Sequence, residues 1–293
     1  MKNTFSWREF FIRRLNALAV LSLAAAIAGQ LGAAHWFAEL FAHFMPYYAA
    51  VFLLAALFRG GRRRWLWAAC VFVCAFWLMQ PFEIHRPFET RHSLVWYNVN
   101  LDNLQPQAET AALLDVDADI LALAEIDLAD TDWVQLRRHY PYGCERESDS
   151  PFELAVWSRQ PLSACEVRFS GGYPYIRAVS GDTADTAVYA LHPPPPISST
   201  LAQHRADYLR DTARAVAAEN KAVVAGDMNS SPFSPLYRRF AAEAGVRAQT
   251  RFYLPTWKPF FLNIDHVFAK NTHVRVRPLP WMHSDHRALS ATW

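Results

Sequence analysis

Residues Ala222–Asn229 read AVVAGDMN. Ala222–Ala225 form an apolar run too short for a helix and suited to a strand buried on both faces. Gly226, Asp227, Met228 and Asn229 then break the run and set two hydrogen-bonding side chains at its end. Alone, a glycine followed by Asp reads equally as a turn. Repetition of the arrangement along the chain decides for a built site.

Working outward, Val95–Trp96–Tyr97 leads to Asn98 and Asn100, and Leu121–Ala124 leads to Glu125. Val188–Leu191 leads to His192, while Asp265 and His266 interrupt the run from Phe261 to Phe268. Ser284, Asp285 and His286 precede a last apolar run, Ala288–Trp293. Leu154–Ser158, Val167–Ser170 and Tyr175–Val179 are further strand candidates. Helical patterns fall at Gln107–Leu114, at Pro232–Ala244 and at Leu201–Ala218, where apolar residues recur with charges between them. No repeat of fixed period occurs, and Pro193–Pro196 is the one low-complexity tract. Strands mixed with helices over residues 90–293 predict a layered α/β domain around one core.

Carboxylates and amides gathered at one edge of a sheet make an oxygen-lined pocket, which hard divalent cations prefer. Mg²⁺ is the expected ion, with Mn²⁺ as the alternative. His192 and His286 then suit proton transfer or charge stabilisation better than metal ligation. Phosphodiester hydrolysis needs an activated water, a cation on the phosphate oxygens and help for the leaving alkoxide. The inventory covers all three. No G-x-x-x-x-G-K-[ST] phosphate loop is present, which leaves an ATPase reading without support.

In chain order, WYNVN (96–100), LAEID (123–127), ALHP (190–193), GDMN (226–229), IDHVF (264–268) and SDH (284–286) resemble the endonuclease/exonuclease/phosphatase (DNase I-like) superfamily. The likeness covers about residues 90–293 and is nearest to bacterial members with a few N-terminal spans. It implies a four-layer α/β sandwich, two facing mixed sheets flanked by helices. It also implies roles. Glu125 takes the position of the metal-binding Glu, Asn98 supports the metal site, and Asn100 and Asp285 stand on the metal side. Asp227 and Asn229 match the pair that orients the attacking water, with Asn229 also contacting the phosphate. His286 matches the His that stabilises the transition state, oriented by Asp265. His192 falls where DNase I-like members carry a second catalytic His and abasic-site endonucleases carry Asn, a departure that argues against abasic-site repair. Glu153 is the candidate to orient His192.

The chain is 293 residues long, 52% hydrophobic, with formal charge +2. That average hides two parts. Residues 1–89 hold 9 of the 29 Lys+Arg and 4 of the 27 Asp+Glu, so the remaining 20 and 23 give residues 90–293 a net −3. Apolar runs at Leu15–Ala34, Pro46–Phe58 and Trp65–Met79 predict about three transmembrane helices in residues 1–84, followed by a catalytic domain over 85–293. Lys2, Arg8, Arg13 and Arg14 precede the first run, and Arg59 and Arg62–Arg64 lie between the second and third. The positive-inside rule then puts the N-terminus in the cytoplasm, and three crossings make this a multi-pass protein of the bacterial inner membrane with an extracytoplasmic (periplasmic) catalytic part. Cys144 and Cys165 lie in that part, where pairing is permitted but is not dictated by their spacing.

The expected activity is metal-dependent hydrolysis of a phosphoester, on a lipid headgroup, a small molecule or a nucleic acid. An extracytoplasmic nuclease and a silent tethered binding module are the alternatives, and no protein partner is expected. Net −3 weighs against tight duplex binding. Trp257 opens an aromatic loop, WKPFF (257–261), that either lines the substrate entrance, touches the bilayer or plugs the core.

Overall fold

Alternation along the strands sorts side chains between two faces, and this sorting explains the layers. The computed structural model describes residues 6–79, 91–148, 151–180 and 186–293. It forms two compact units, one of Met1–Glu83 with Pro232–Pro235 and one of the remaining residues.

The first unit contains helices α1 (Trp7–Gln30), α2 (Trp36–Leu40), α3 (Met45–Phe58) and α4 (Arg63–Leu78). Ser6 caps α1 by accepting the Glu9 N–H. Two helical stretches, Trp7–Ala33 and Trp36–Phe58, are long and apolar enough to cross a membrane. The third apolar run lies in α4, whose 16 residues reach about 24 Å against the ~30 Å of a bilayer core. Inside the unit Trp67 stacks on Phe52 at 5.8 Å and donates to Asn16 Oδ1 at 3.3 Å. Leu21, Leu57, Phe72 and Phe76 face outward. Cys70 and Cys74 are free.

In the second unit the elements run β1 (Ser93–Asn98), α5 (Pro106–Val116), β2 (Ile120–Ala124), α6 (Val134–His139), β3 (Tyr142–Arg146), β4 (Leu154–Ser158), β5 (Leu162–Ser170), β6 (Tyr173–Ser180), β7 (Thr186–Leu191), α7 (Ser199–Ala217), β8 (Lys221–Asp227), α8 (Pro235–Ala244), β9 (Arg247–Ala248), β10 (Asp265–Lys270), β11 (Arg275–Pro278) and β12 (Leu289–Thr292). Two mixed six-stranded sheets result, ordered β11-β12-β1-β2-β4-β3 and β5-β6-β7-β8-β10-β9. One core lies between them, with Leu94, Trp96, Ala122 and Val156 from the first sheet and Ile176, Val188, Val223 and Val267 from the second. The alternate residues Val95, Tyr97 and Leu123 pack outward with Leu113 of α5 and Leu136 of α6. Tyr189, Val224 and Phe268 do the same with Tyr208 of α7 and Phe240 of α8. These are the four layers that the family resemblance implies. Each fully buried Val, Leu or Phe contributes about 1.5–3 kcal/mol.

The strands missing from the sequence reading are β3, β9 and β11, all short or exposed at sheet edges, where neither alternation nor an apolar run marks them. Cys144 of β3 and Cys165 of β5 form a disulfide across the two sheets.

Candidate active site

The rule that builds the core also aims the polar residues. Leu94 and Trp96 point between the sheets, so Asn98, two residues on, points the same way. By the same step Val188 and Ala190 aim His192, Val223 and Ala225 aim Asp227, and Val267 aims Asp265 inward. His266 has the opposite parity. It packs on the outer face against Tyr237 at 4.6 Å, outside the polar cluster.

Strand pairing brings these ends together. β1 runs parallel to β2 with Asn98 opposite Ala124, and β7 runs parallel to β8 with Leu191 opposite Gly226. Antiparallel β10 sets Asp265 opposite Asp227. Gly226 is required by this closeness, because a Cβ there would stand 2.4 Å from the Leu191 carbonyl oxygen. Turning inward costs backbone strain. Glu125 and Asn229 sit at φ +55° and +46°, a region costing about 1–2 kcal/mol for a residue with a Cβ. Glu125 is held there by its N–H to the Glu153 carbonyl at 3.0 Å.

Across the inter-sheet space, Asn98 Nδ2 donates to Glu125 Oε1 at 2.8 Å and to Asp227 Oδ2 at 3.3 Å. His192 Nε2 lies 3.4 Å from Glu125 Oε1. His286 Nδ1 lies 2.8 Å from Asp265 Oδ2, and Trp96 Nε1 donates to Asp265 Oδ1 at 2.9 Å. His286 Nε2 stands 3.7 Å from Asp227 Oδ2. Asp227 Oδ1 accepts the Asn229 N–H at 2.8 Å. The result is a linked series from Asp265 through His286, Asp227 and Asn98 to Glu125 and His192.

The electrostatics follow from burial and neighbouring charge. Burial opposes ionisation of Glu125, but hydrogen bonds from His192 and Asn98 and the His192 charge overcome it and hold the carboxyl down at about 2. Asp227 goes the other way: burial, then the Asp265 charge, push it up. Burial works against charge on both histidines. Even so, Glu125 raises His192, and Asp265 with Asp227 raises His286 to about 10.

Other sequence candidates point elsewhere. Asn100 Oδ1 accepts the Asp102 N–H at 3.1 Å in its own turn. Asp285 Oδ2 accepts the Trp257 indole N–H at 2.8 Å. Asp285 stands outside the two groups of His and carboxylate side chains that come together among the described residues, Glu125/His192/Asp227 and Asp227/Asp265/His286. Asn229 Nδ2 donates to the Pro193 carbonyl at 3.0 Å. The Glu153 carboxylate accepts the backbone N–H groups of Leu128 and Ser148 at 2.8 and 2.9 Å, and no hydrogen bond joins it to His192 among the described residues. The Trp257 ring lies 6.4 Å from that of His286.

Four supporting residues escape the sequence reading. Thr256 Oγ1 accepts the N–H groups of Ile264 and Asp265. Ser284 Oγ donates to the Asn98 carbonyl at 2.8 Å and accepts the His286 N–H at 2.9 Å. Glu109 holds the Ser284 backbone. Two of the four stand in quoted motifs: Ser284 opens SDH (284–286), and Trp96 shares Asn98's parity and so faces the same space.

No curated protein sequence matches significantly. Among solved structures, sphingomyelinase C from Streptomyces griseocarneus superposes with a TM-score of 0.51 at 16% identity, covering 70% of this chain and 99% of its own. D. rerio TDP2 complexed with a single-strand DNA product gives 0.53 at 16%, covering 69% and 98%. A mutant beta toxin from Staphylococcus aureus with bound magnesium ions gives 0.51 at 14%, covering 69% and 99%. These likenesses show the fold. Residues 95–286, which hold every strand-end residue described above, match the model of the Endonuclease/Exonuclease/phosphatase family, and the chain belongs to that family.

Proposed function

We propose that this chain is a divalent-metal-dependent phosphodiesterase tethered to a membrane by its N-terminal helices. The observation that carries the reading is the buried series Asp265–His286–Asp227 set against Asn98, Glu125 and His192. Family membership supports phosphoester hydrolysis. The donor set fits a cation: ligand atoms of Glu125, His192 and Asp227 lie within 4.8 Å of one another, and both Glu125 contacts fall on Oε1. The buried His192 Nδ1 has no hydrogen-bond partner among the described residues. Glu125 would hold the ion, with Asn98 fixing its carboxylate. When bound there, Mg²⁺ or Mn²⁺ would neutralise charge on the phosphate oxygens.

The remaining chemistry belongs to the chain. Asp227, with its raised pKa, takes a proton from the attacking water as the new P–O bond forms. His286, held protonated by Asp265, presents positive charge to the oxygens that gain charge in the transition state. His192, protonated beside Glu125, gives its proton to the leaving alkoxide as the old P–O bond breaks. Asn229, beside Asp227, would contact the phosphate.

The full chain in detergent should hydrolyse at least one member of a panel of phosphodiesters, phosphomonoesters, phospholipids and oligonucleotides. EDTA should abolish the activity, and added Mg²⁺ or Mn²⁺ should restore it. Silence across the panel, or undiminished turnover by Asp227→Ala and His286→Ala, would falsify the assignment. Which substrate is cut separates lipid hydrolase from nuclease.

The tether rests on two span-length apolar stretches and on α4, whose outward-facing Phe72 and Phe76 suit a third, shorter crossing over a locally thinned bilayer; three crossings from a cytoplasmic N-terminus put the catalytic part outside. An extracytoplasmic catalytic part agrees with the Cys144–Cys165 disulfide, since such bonds persist in oxidising compartments. An alkaline-phosphatase fusion at Trp293 should be active; an inactive fusion at normal expression refutes the orientation.

A further inference from the structure

Exposed apolar side chains are distributed unevenly over the second unit. The strand register defines two edges, one carrying Asn98, His192, Asp227 and Asp265 and one opposite. Tyr142 lies at the opposite edge, paired with Ser158 at the far end of β4. Among the described residues of this unit, every other exposed large hydrophobic lies on a loop at the site edge or within two residues of one. Leu104 follows β1, Phe169 precedes the β5–β6 turn, Ile197 follows β7, and Tyr253, Phe260 and Phe261 precede β10. Scattered surface hydrophobics need no explanation, but a one-sided set around a polar site does.

The set has a definite chemistry. Leu104 is 93% exposed and Ile197 77%; both are aliphatic and offer no face on which a nucleotide base could stack. Phe261 holds φ +45° while 64% exposed, so its strain is not offset by burial. Basic groups accompany the rings. Arg146 lies over Phe169 at 5.8 Å, and Arg251 Nη1 donates to the Tyr253 hydroxyl at 3.1 Å. Aromatic and aliphatic tips beside arginines match the headgroup region of a bilayer, where rings sit at the interface and guanidinium groups meet lipid phosphates. The rim is continuous with the site: Phe260 is 5.7 Å from Trp257, which is 6.4 Å from His286.

We infer that this rim docks on a phospholipid bilayer, so that the site draws its phosphodiester from lipids in that surface. The inference rests on the phosphodiesterase reading for the substrate but not for the docking. Single-stranded nucleic acid, the other polymer that rings and arginines could hold, is disfavoured by the aliphatic tips and by the unit's net −3, the 20 Lys+Arg against 23 Asp+Glu outside residues 1–89.

Docking and catalysis can be read separately. The full chain, with Cys70→Ser and Cys74→Ser, would carry an NBD fluorophore at Ile197→Cys or at Tyr142→Cys in phosphatidylglycerol/phosphatidylethanolamine proteoliposomes. Doxyl-labelled lipid should quench the label at 197 several-fold more than the label at 142. Equal quenching, or an emission change at 197 caused by a single-stranded oligonucleotide and not by lipid, overturns the docking whether or not the protein is active. For catalysis, Leu104→Asp with Ile197→Asp should lower turnover of bilayer phospholipid at least tenfold while hydrolysis of soluble bis(p-nitrophenyl) phosphate stays within twofold. Equal loss on both substrates, or loss on neither, removes the rim from substrate capture. An unmodified protein that cleaves no phosphodiester refutes the activity reading and leaves the quenching result to decide the docking.

Discussion

Glu109 Oε1 accepts the backbone N–H of Ser284 at 3.0 Å, although 175 positions separate the two residues in the chain. The same oxygen accepts the His283 N–H at 2.9 Å, the Tyr97 hydroxyl at 2.8 Å and Asn103 Nδ2 at 3.0 Å. A fully buried carboxylate on α5 therefore fixes the backbone two residues before His286. Glu109→Ala leaves several buried donors unpaired and should cost about 3 kcal/mol of stability. For the protein that remains folded, kcat should fall about tenfold with little change in KM, because the imidazole loses its placement. Glu109→Gln keeps an acceptor and should recover much of the rate. Thermal melts with steady-state kinetics on both variants check this, and a KM effect alone would contradict a positioning role.

Asp265 sets the protonation of His286. Against burial, the charges of Asp265 and Asp227 raise His286 to about 10. Because the folded pKa lies above the unfolded one, the stability from this ion pair is complete below about pH 6.5 and is lost as pH rises through about 10. Asp265→Asn removes the nearest charge, so the alkaline limb of the kcat profile should move to lower pH, with kcat reduced. An unmoved limb would show that His286 does not govern it.

Glu219 lies away from the site and ties α7 to the second sheet. It accepts from Arg177 Nε at 2.6 Å, Arg177 Nη2 at 3.1 Å and the Tyr189 hydroxyl at 2.8 Å. The Arg177 hydrogen bonds outweigh burial and hold its pKa below the usual range. A depressed carboxylate stabilises the fold above its unfolded pKa, about 4.3, and loses that contribution as pH falls through the folded value. Glu219→Gln should thus lower Tm at pH 7, and the gap from the unmodified chain should narrow in more acid buffers. A pH-independent gap would point to lost packing instead.

The Cys144–Cys165 bond joins edge strands of opposite sheets across a sequence separation of 21 residues. Closing a loop of this size stabilises by about 3 kcal/mol in the chain-entropy account. Cys144→Ser, or reduction by dithiothreitol, should lower Tm without changing kcat at temperatures where the protein stays folded. Additive effects of the two treatments would show that the reductant acts elsewhere.

Much of the layout was legible because alternation and burial are local properties of sequence. Ile120–Ala124 and Leu154–Ser158 were readable to the residue, and so was the placing of Asn98, His192, Asp227 and Asp265 at strand ends. Edge strands such as β3 were not legible, since half-exposed polar strands carry no period.

By itself, then, the sequence determined which side chains stand at strand ends and which face of each strand they share. Only the tertiary structure decided which of them meet. Asn100 and Asp285 lie in the same motifs as Asn98 and His286, yet a turn amide and the Trp257 indole take their oxygens. Glu109, in no motif, became the anchor of the His286 loop. The physical reason is that a hydrogen bond depends on three-dimensional proximity, which strand register and layer packing set over separations of more than a hundred residues, while a motif records only chemistry and local geometry.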